Sequence, residues 1–393
     1  MKKFFILFIS IFSFCISVSA IDINSKYAIV YNLNDNNIIY EKDSNQKSEI
    51  ASLTKIMTTI LTIENVKNLD DIVTVKYDDL VGLNGYSVAG FKVGDQVTYT
   101  DLIYGLMLPS GGDAGQILAN NISGTTLEFA NLMNKKSEEL GMKNTHFSNP
   151  IGMDEDNYST AYDMALLVKY AIKNNTFKEV FSKENYTTTN NIKLEKTTSN
   201  IAKKYNIDIS SITGSKTGFT NAANYCLAST ATLNDVNYLV VTLNAEKNPN
   251  HIKDSMNLYN YFDSNYSYKE ILKDNQLLNT IKVKHSKTKE YRIVSKKSIK
   301  KYLSNDFNID KIKYKYTGIK ELTRKIKKGD YLGRVKIVYD NKTLDTYKVY
   351  LDKDIKYYNY WLLLIPLGII VFVIFIKIKL KKQKRRLKNP FRK

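Results

Sequence analysis

Ser52 and Lys55 put a hydroxyl three residues from an amine, in the run SEIASLTKIMTTILTIENV. Around them Ile50, Leu53, Ile56, Met57, Ile60 and Leu61 recur at helical spacing, which predicts a largely buried helix from Ile50 to Ile63. Residues three apart share a helix face, so the two side chains would project together. They would do so near the helix N-terminus, where backbone N–H groups are unpaired and the dipole is positive. A hydroxyl beside an amine that can take its proton, with donors ready for developing negative charge, is how a serine nucleophile is built. In a chain this rich in serine and lysine, Ser-x-x-Lys by itself does not carry that reading.

Two other segments add hydroxyls and a second amine. Pro109-Ser110-Gly111-Gly112-Asp113-Ala114 reads as a turn entering a helix, and Ser215-Lys216-Thr217-Gly218-Phe219-Thr220 as a strand. The elements that must position them follow from pattern. Residues 26–43 read as a hairpin with an Asn-Asp-Asn-Asn turn, and residues 68–98 as short β pieces with glycine turns. Helical periodicity marks 100–108, 113–121, 125–140, 159–173 and about 250–262, whereas 178–211 reads as polar and irregular. Strand patterns at 211–219, 224–232 and 236–243 complete one sheet drawn from both ends of this region, with helices packed on it. Past Asn265 the pattern turns to period two over 278–354, indicating a second, all-β domain of half-buried antiparallel strands.

The ends of the chain carry a compartment signal. Residues 1–20 combine two lysines, an apolar stretch and Val18-Ser19-Ala20, which predicts a secretory signal peptide. Cys15 lies inside that segment, so Cys226 alone remains afterwards and no intramolecular disulfide can form. Cys226 sits in an apolar strand and reads as core. Trp361 to Ile376 is uncharged, with Tyr357, Tyr358 and Tyr360 before it and ten Lys or Arg after it, which predicts a single transmembrane helix over 357–380. The basic tail, 381–393, would be cytoplasmic and the body outside the cell. Two charges in the leader and ten after the apolar run leave about +7 of the formal net +19 on the body. Most of the excess is thus a topology signal, which argues against a nucleic-acid binder.

Ser-x-x-Lys, a serine-bearing turn and Lys-Thr-Gly, in that order, form the signature set of serine β-lactamases and penicillin-binding proteins. The longer runs AIVYNLNDNNIIYEKD, ASLTKIMT, DLIYGLMLPSGGDAG, LGMKNTHFSNPIGMD, YSTAYDMALL and ITGSKTGFTNAANYC resemble the low-molecular-mass D-alanyl-D-alanine carboxypeptidases, over roughly residues 25–262. The β domain and C-terminal membrane attachment resemble that family's layout as well. The fold implied is α+β. A β-lactamase/DD-peptidase-like domain (21–265), an antiparallel sheet flanked by helices, would precede a small all-β sandwich domain (266–355) and the transmembrane helix.

The resemblance further implies a serine D-Ala-D-Ala carboxypeptidase that trims peptidoglycan stem peptides, is acylated by β-lactams and uses no cofactor or metal. Ser52 would be the nucleophile and Lys55 the general base. Lys216 would be the cation that lowers the pKa of Lys55 and attracts the substrate carboxylate, and Ser110 would bridge the two lysines. Backbone N–H groups of Ser52 and Phe219 would form the oxyanion hole. Thr217 and Thr220 would bond substrate, and Gly218 would leave room for it along the strand. The departure is Gly112, where the family has asparagine; a weakened enzyme, a non-catalytic wall-binding scaffold and, further off, a β-lactamase are the readings it leaves. His146, His251 and His285 are scattered without acid or cysteine clusters and make no metal site. Asp113 is expected to support a helix start.

Overall fold

The structure, a computed structural model, describes residues 21–152 and 156–388. The signal segment 1–20 and the last residues of the basic tail lie outside the described residues. The chain divides into two compact units, one ending at Asn265 and one beginning at Tyr266.

The first unit is built on one antiparallel sheet of β1 (Tyr27–Asn32), β2 (Asn37–Lys42), β3 (Ile212–Thr220), β4 (Asn224–Leu233) and β5 (Val236–Ala245), ordered β2-β1-β5-β4-β3. The N-terminal hairpin thus joins the later strands through β1, whose Ala28, Ile29 and Val30 face Thr242, Val241 and Val240 of β5. Both faces are covered, and alternation along the strands divides them. Ile29, Tyr31, Ala228, Leu239 and Val241 join a core shared with α1 (Lys55–Asn65), α2 (Tyr99–Met107), α3 (Gly112–Ser123), α4 (Thr126–Leu140), α5 (Ala161–Ala171) and α6 (Asn175–Ser182). The intervening Ala28, Val30, Leu227 and Val240 are equally buried. They lie on the face where α8 (Asn250–Asn265) packs against β4 and β5, its Tyr259 hydroxyl bonded to Ser229. A shorter helix, α7 (Thr197–Lys204), packs on β3.

The polar stretch 178–211 is more ordered than its composition suggests, holding the end of α6, two short paired strands and α7. The signal for α6 was present: Asn174 caps Phe177 N, and Phe177, Val180 and Phe181 form a buried stripe. The segment around Ser52 also departs from the expected helix. The helix begins at Lys55, and Ser52 lies in the preceding 3₁₀ turn Ala51–Thr54, entered through Ala51 at φ 45°. In a 3₁₀ turn residues three apart eclipse, so Ser52 and Lys55 still share a side.

The second unit contains strands β6 (Tyr266–Leu272), β7 (Leu277–Val283), β8 (Glu290–Val294), β9 (Ile299–Ser304), β10 (Lys313–Gly318), β11 (Tyr331–Tyr339) and β12 (Lys342–Tyr350). They form the sheets β6-β9, β8-β7 with Glu321–Leu322, and β10-β11-β12. Alternate residues such as Ile281, Tyr291, Leu303, Leu332, Val335, Ile337 and Val349 meet in one core. A last helix, α9 (Trp361–Lys388), carries the uncharged run and Pro366. Among the described residues, no helix is long and apolar enough to cross a membrane. Sixteen uncharged residues make only about 24 Å of helix against the ~30 Å of a hydrocarbon core.

Candidate active site

The predicted residues other than Lys216 meet in a cleft of ≈230 Å³ whose lining includes Ser52, Lys55, Ser110, Gly112, Thr217, Gly218, Phe219 and Thr220, while Lys216 is buried and does not line it. A larger cavity of ≈560 Å³ in the second unit contains no serine. Three elements converge on the cleft: the turn before α1, the α2–α3 turn carrying Ser110, and β3, which lies at the edge of the sheet.

Lys55 Nζ stands 2.9 Å from Ser52 Oγ and donates to the Ile151 carbonyl at 2.7 Å. The side chain is buried, and desolvation pushes its pKa from 10.5 down to about 7, against the opposing pull of Asp113. An amine so placed is substantially neutral at neutral pH. Lys216 Nζ donates to Ser110 Oγ at 2.9 Å and to its neighbour's carbonyl, Thr217 O, at 2.8 Å. It is also buried, and its pKa is lowered well below the ordinary value by desolvation, then by Lys55 and Lys196. Burial is the leading cause at both lysines, ahead of any neighbouring charge, and the repulsion between the two amines is mutual. Lys196, not singled out from sequence, is a third buried amine, brought down to about 8 by burial and held by the Phe181 carbonyl at 2.7 Å.

Ser110 sits in the left-handed region, φ 66°, and is nearly buried. The two hydroxyl–amine pairs stand separately; among the described residues no hydrogen bond joins Ser110 to Lys55, so the expected bridge is absent. Gly111 has no room for a side chain, since a Cβ there would fall 2.7 Å from the Gly105 carbonyl and 2.8 Å from Ala89 N. Gly218 is similarly constrained, but by the protein itself. An added Cβ would lie 2.9 Å from Ile50 O and 3.1 Å from Ser52 N, so glycine lets β3 run directly against the turn carrying Ser52. Phe219, the next residue, lines the same cleft as Ser52. Thr217 is nearly buried, while the Thr220 hydroxyl accepts from Ala223 N at 3.0 Å and reaches Glu49 at 3.5 Å. Part of the bonding capacity of Thr220 thus closes the β3–β4 turn.

A family model described as D-alanyl-D-alanine carboxypeptidase matches residues 15–247, more than half of the chain. The chain belongs to the D-alanyl-D-alanine carboxypeptidase family. It is accordingly a serine hydrolase and a penicillin-binding protein. A second model, described as the C-terminal domain of penicillin-binding protein 5, matches residues 266–357. The chain is 29% identical over 342 residues to D-alanyl-D-alanine carboxypeptidase DacF of Bacillus subtilis, covering 84% of this chain and 86% of that one. Its fold is similar to that of penicillin-binding protein 5 from Haemophilus influenzae, with a TM-score of 0.65 and 24% identity over 86% of this chain and 99% of the other. The Streptomyces K15 DD-transpeptidase is 31% identical, with a TM-score of 0.56 over 62% of this chain and 98% of that one.

Within this carboxypeptidase, the Gly112 departure has a local answer. Lys55 takes its second partner from the Ile151 backbone, on a loop fixed by Asn149 Oδ1 accepting from Ile151 N and Gly152 N and by Thr58 donating to Pro150 O. Asp113 does more than start α3. Its carboxylate accepts from Ala89 N, Gly90 N and Phe91 N at 2.8–3.1 Å, and from Ala114 N, pinning a loop whose Gly85, Tyr86 and Ser87 wall the cleft. His251, one of the three scattered histidines, is buried in the fold, lines the cleft and stacks on Tyr225 at 5.4 Å. Burial holds its ring down to about 4, and neither ring nitrogen has a hydrogen-bond partner among the described residues. His146 forms an isolated bridge with Tyr158, and among the described residues no acid, cysteine and histidine cluster could hold a metal.

Proposed function

We propose that Ser52 is the nucleophile and Lys55 the base of a D-Ala-D-Ala carboxypeptidase acting on peptidoglycan stem peptides. The observation that carries this is the 2.9 Å approach of Lys55 Nζ to Ser52 Oγ by an amine that burial has lowered to about 7. Neutral Lys55 takes the Ser52 proton as Oγ attacks the carbonyl between the terminal D-alanines, while keeping its N–H on Ile151 O. The oxyanion develops between the N–H groups of Ser52 and Phe219, each worth ~3–4 kcal/mol in the transition state. The carbonyl–nitrogen bond then breaks as the departing amine takes the proton that Lys55 collected, Ser110 relaying it once bound substrate closes the gap between them, and D-alanine leaves an acyl-Ser52 that water hydrolyses with the again neutral Lys55 as base. The substrate carboxylate would restore charge to Lys216, since an anion entering that dry site favours the ammonium. Thr217 and Thr220 would bond the same substrate as it lies along the free edge of β3.

Gly112 does not turn the balance toward a non-catalytic scaffold, because the Ile151 carbonyl already steadies Lys55. A β-lactamase reading lacks its deacylating acid: among the described residues no carboxylate lines the cleft. We further read residues 1–20 as a leader, 21–265 as the catalytic domain, 266–355 as a β-sandwich spacer and 357–380 as a single membrane span with a basic cytoplasmic tail. The span reading rests on the uncharged Trp361–Ile376 run, its flanking tyrosines and the ten cations after it. The catalytic domain would then work on the outer side of the cell membrane. Measuring D-alanine released from a model pentapeptide tests the activity; release by the wild type above the Ser52→Ala background is expected, and its absence at stoichiometric enzyme overturns the assignment.

A further inference from the structure

The charge of this chain is unevenly divided. Residues 21–265 hold 21 Lys and Arg against 28 Asp and Glu, a net −7, while residues 266–357 hold 25 against 11, a net +14. A compositional preference for lysine would raise both units together. The excess belongs to the second one.

Within it the sheet β10-β11-β12 carries six Lys or Arg against a single acid. The buried side of that sheet supplies Leu332, Val335, Ile337 and Val349 to the core. On the other side Lys313 and Lys315 of β10, Arg334 and Lys336 of β11 and Lys348 of β12 alternate outward. Register sets like charges directly opposite: Lys315 faces Lys336, and Arg334 faces Lys348. Like charges so placed oppose sheet formation. Among the described residues no carboxylate forms an ion pair with any of these five. The one acid on the three strands, Asp345, stands opposite Ile337 and pairs with Lys301 at 3.1 Å. Tyr331 and Tyr350, both about half exposed and in edge-to-face contact, continue the same sheet at one end.

We propose that this face is a docking surface for an anionic lipid bilayer, with Lys313, Lys315, Arg334, Lys336 and Lys348 on the headgroups and Tyr331 and Tyr350 at the interface. Charge complementarity calls for a polyanion, because five cations without a carboxylate have no partner of their own. Paired amphipathic rings beside them suit the zone between headgroups and acyl chains. The chain itself selects a bilayer over a soluble polymer. Ten residues, 351–360, separate Tyr350 from Trp361, so the sheet lies within about 36 Å of the start of the apolar run. The inference rests on the proposed membrane span, which would hold this face at the lipid surface. Docking there would restrict the second unit to one orientation on the bilayer, rather than leaving it to pivot on the 351–360 segment.

The test reconstitutes the full chain into vesicles of zwitterionic lipid alone and of zwitterionic lipid with a third anionic lipid. An amine-acetylating reagent then reads each lysine by mass spectrometry. Co-flotation with both vesicles tests the span and is independent of lipid charge. If the face docks, acetylation of Lys313, Lys315, Lys336 and Lys348 slows roughly fivefold on anionic vesicles, recovers in high salt as the charges are screened, and leaves Lys282 and Lys320 unchanged. A Lys315→Glu/Lys336→Glu variant should float normally yet lose the protection at Lys313 and Lys348. Equal labelling on both vesicles overturns the proposal while leaving the span standing. Protection by soluble polyphosphate on zwitterionic vesicles, with none from anionic lipid, overturns it in favour of an anionic polymer.

Discussion

Replacing Gly112 with asparagine asks what the departed amide did and how far the backbone has replaced it. An added Cβ would lie 3.2 Å from Ile151 Cδ1 and 3.2 Å from Leu83 Cδ2, both the mobile ends of side chains, and 3.4 Å from Ser87 O. The backbone permits it, since Gly112 is the first residue of α3 and is not in the left-handed region. Alanine brings that crowding without the amide, so the ratio of asparagine to alanine isolates the hydrogen bond. Neutral Lys55 accepts from Ser52 and donates to Ile151, leaving one N–H for the new carbonyl, while the new NH₂ can reach substrate. Such bonds contribute ~1–3 kcal/mol in a dry site, or about ten- to a hundredfold in rate. The expected order is Gly112→Asn above wild type and Gly112→Ala at or slightly below it, with Asn exceeding Ala by at least about tenfold. The assay is the second-order rate of acylation by a fluorescent penicillin, with thermal unfolding as a control for displacement of Ile151. Equal rates for Asn and Ala, at equal stability, would refute the reasoning.

Three other outcomes follow from the same geometry. Because only deprotonated Lys55 can accept the Ser52 proton, acylation should rise about tenfold per pH unit at acid pH and level off above about 7; a profile flat from pH 5 to 9 contradicts the base assignment. Asp113→Asn removes a charged acceptor facing several backbone N–H groups. Unfolding should show a loss of about 3 kcal/mol, and KM should rise as the 85–91 loop loosens; unchanged KM would show that the loop is held otherwise. His251 is lowered to about 4 when folded against 6.5 when free, so the unfolded chain binds its proton first. Its contribution is complete above pH 6.5 and is lost as pH falls toward 4, on the order of 3 kcal/mol. His251→Phe should flatten that stretch of the stability–pH curve, and an unchanged slope would place the acid sensitivity elsewhere.

Sequence pattern reached the sheet and the three segments that line the candidate site because each is local. β3, β4 and β5 alternate or run apolar, and α1 keeps its period where every residue from Lys55 to Thr62 is buried. What it did not reach depends on contacts between distant segments. The Ile151 carbonyl on Lys55 is 96 residues away and comes from backbone, which leaves no mark on residue type. The burial of Lys196 and His251 is likewise set by the packing of α6 and α8, not by their polar neighbours in sequence. Gly218 looked like space for a ligand, and only the fold reveals Ile50 and Ser52 filling it. The overall charge hid a division between the two units that became meaningful once strand register placed the cations on one face.

The central claim is that Ser52 carries the acyl group. Intact-protein mass spectrometry after incubation with a penicillin, followed by peptide mapping, tests it most directly. One adduct per chain is expected, confined to the peptide containing Ser52 and absent from Ser52→Ala. An adduct on Ser110, or undiminished labelling of Ser52→Ala, would contradict it.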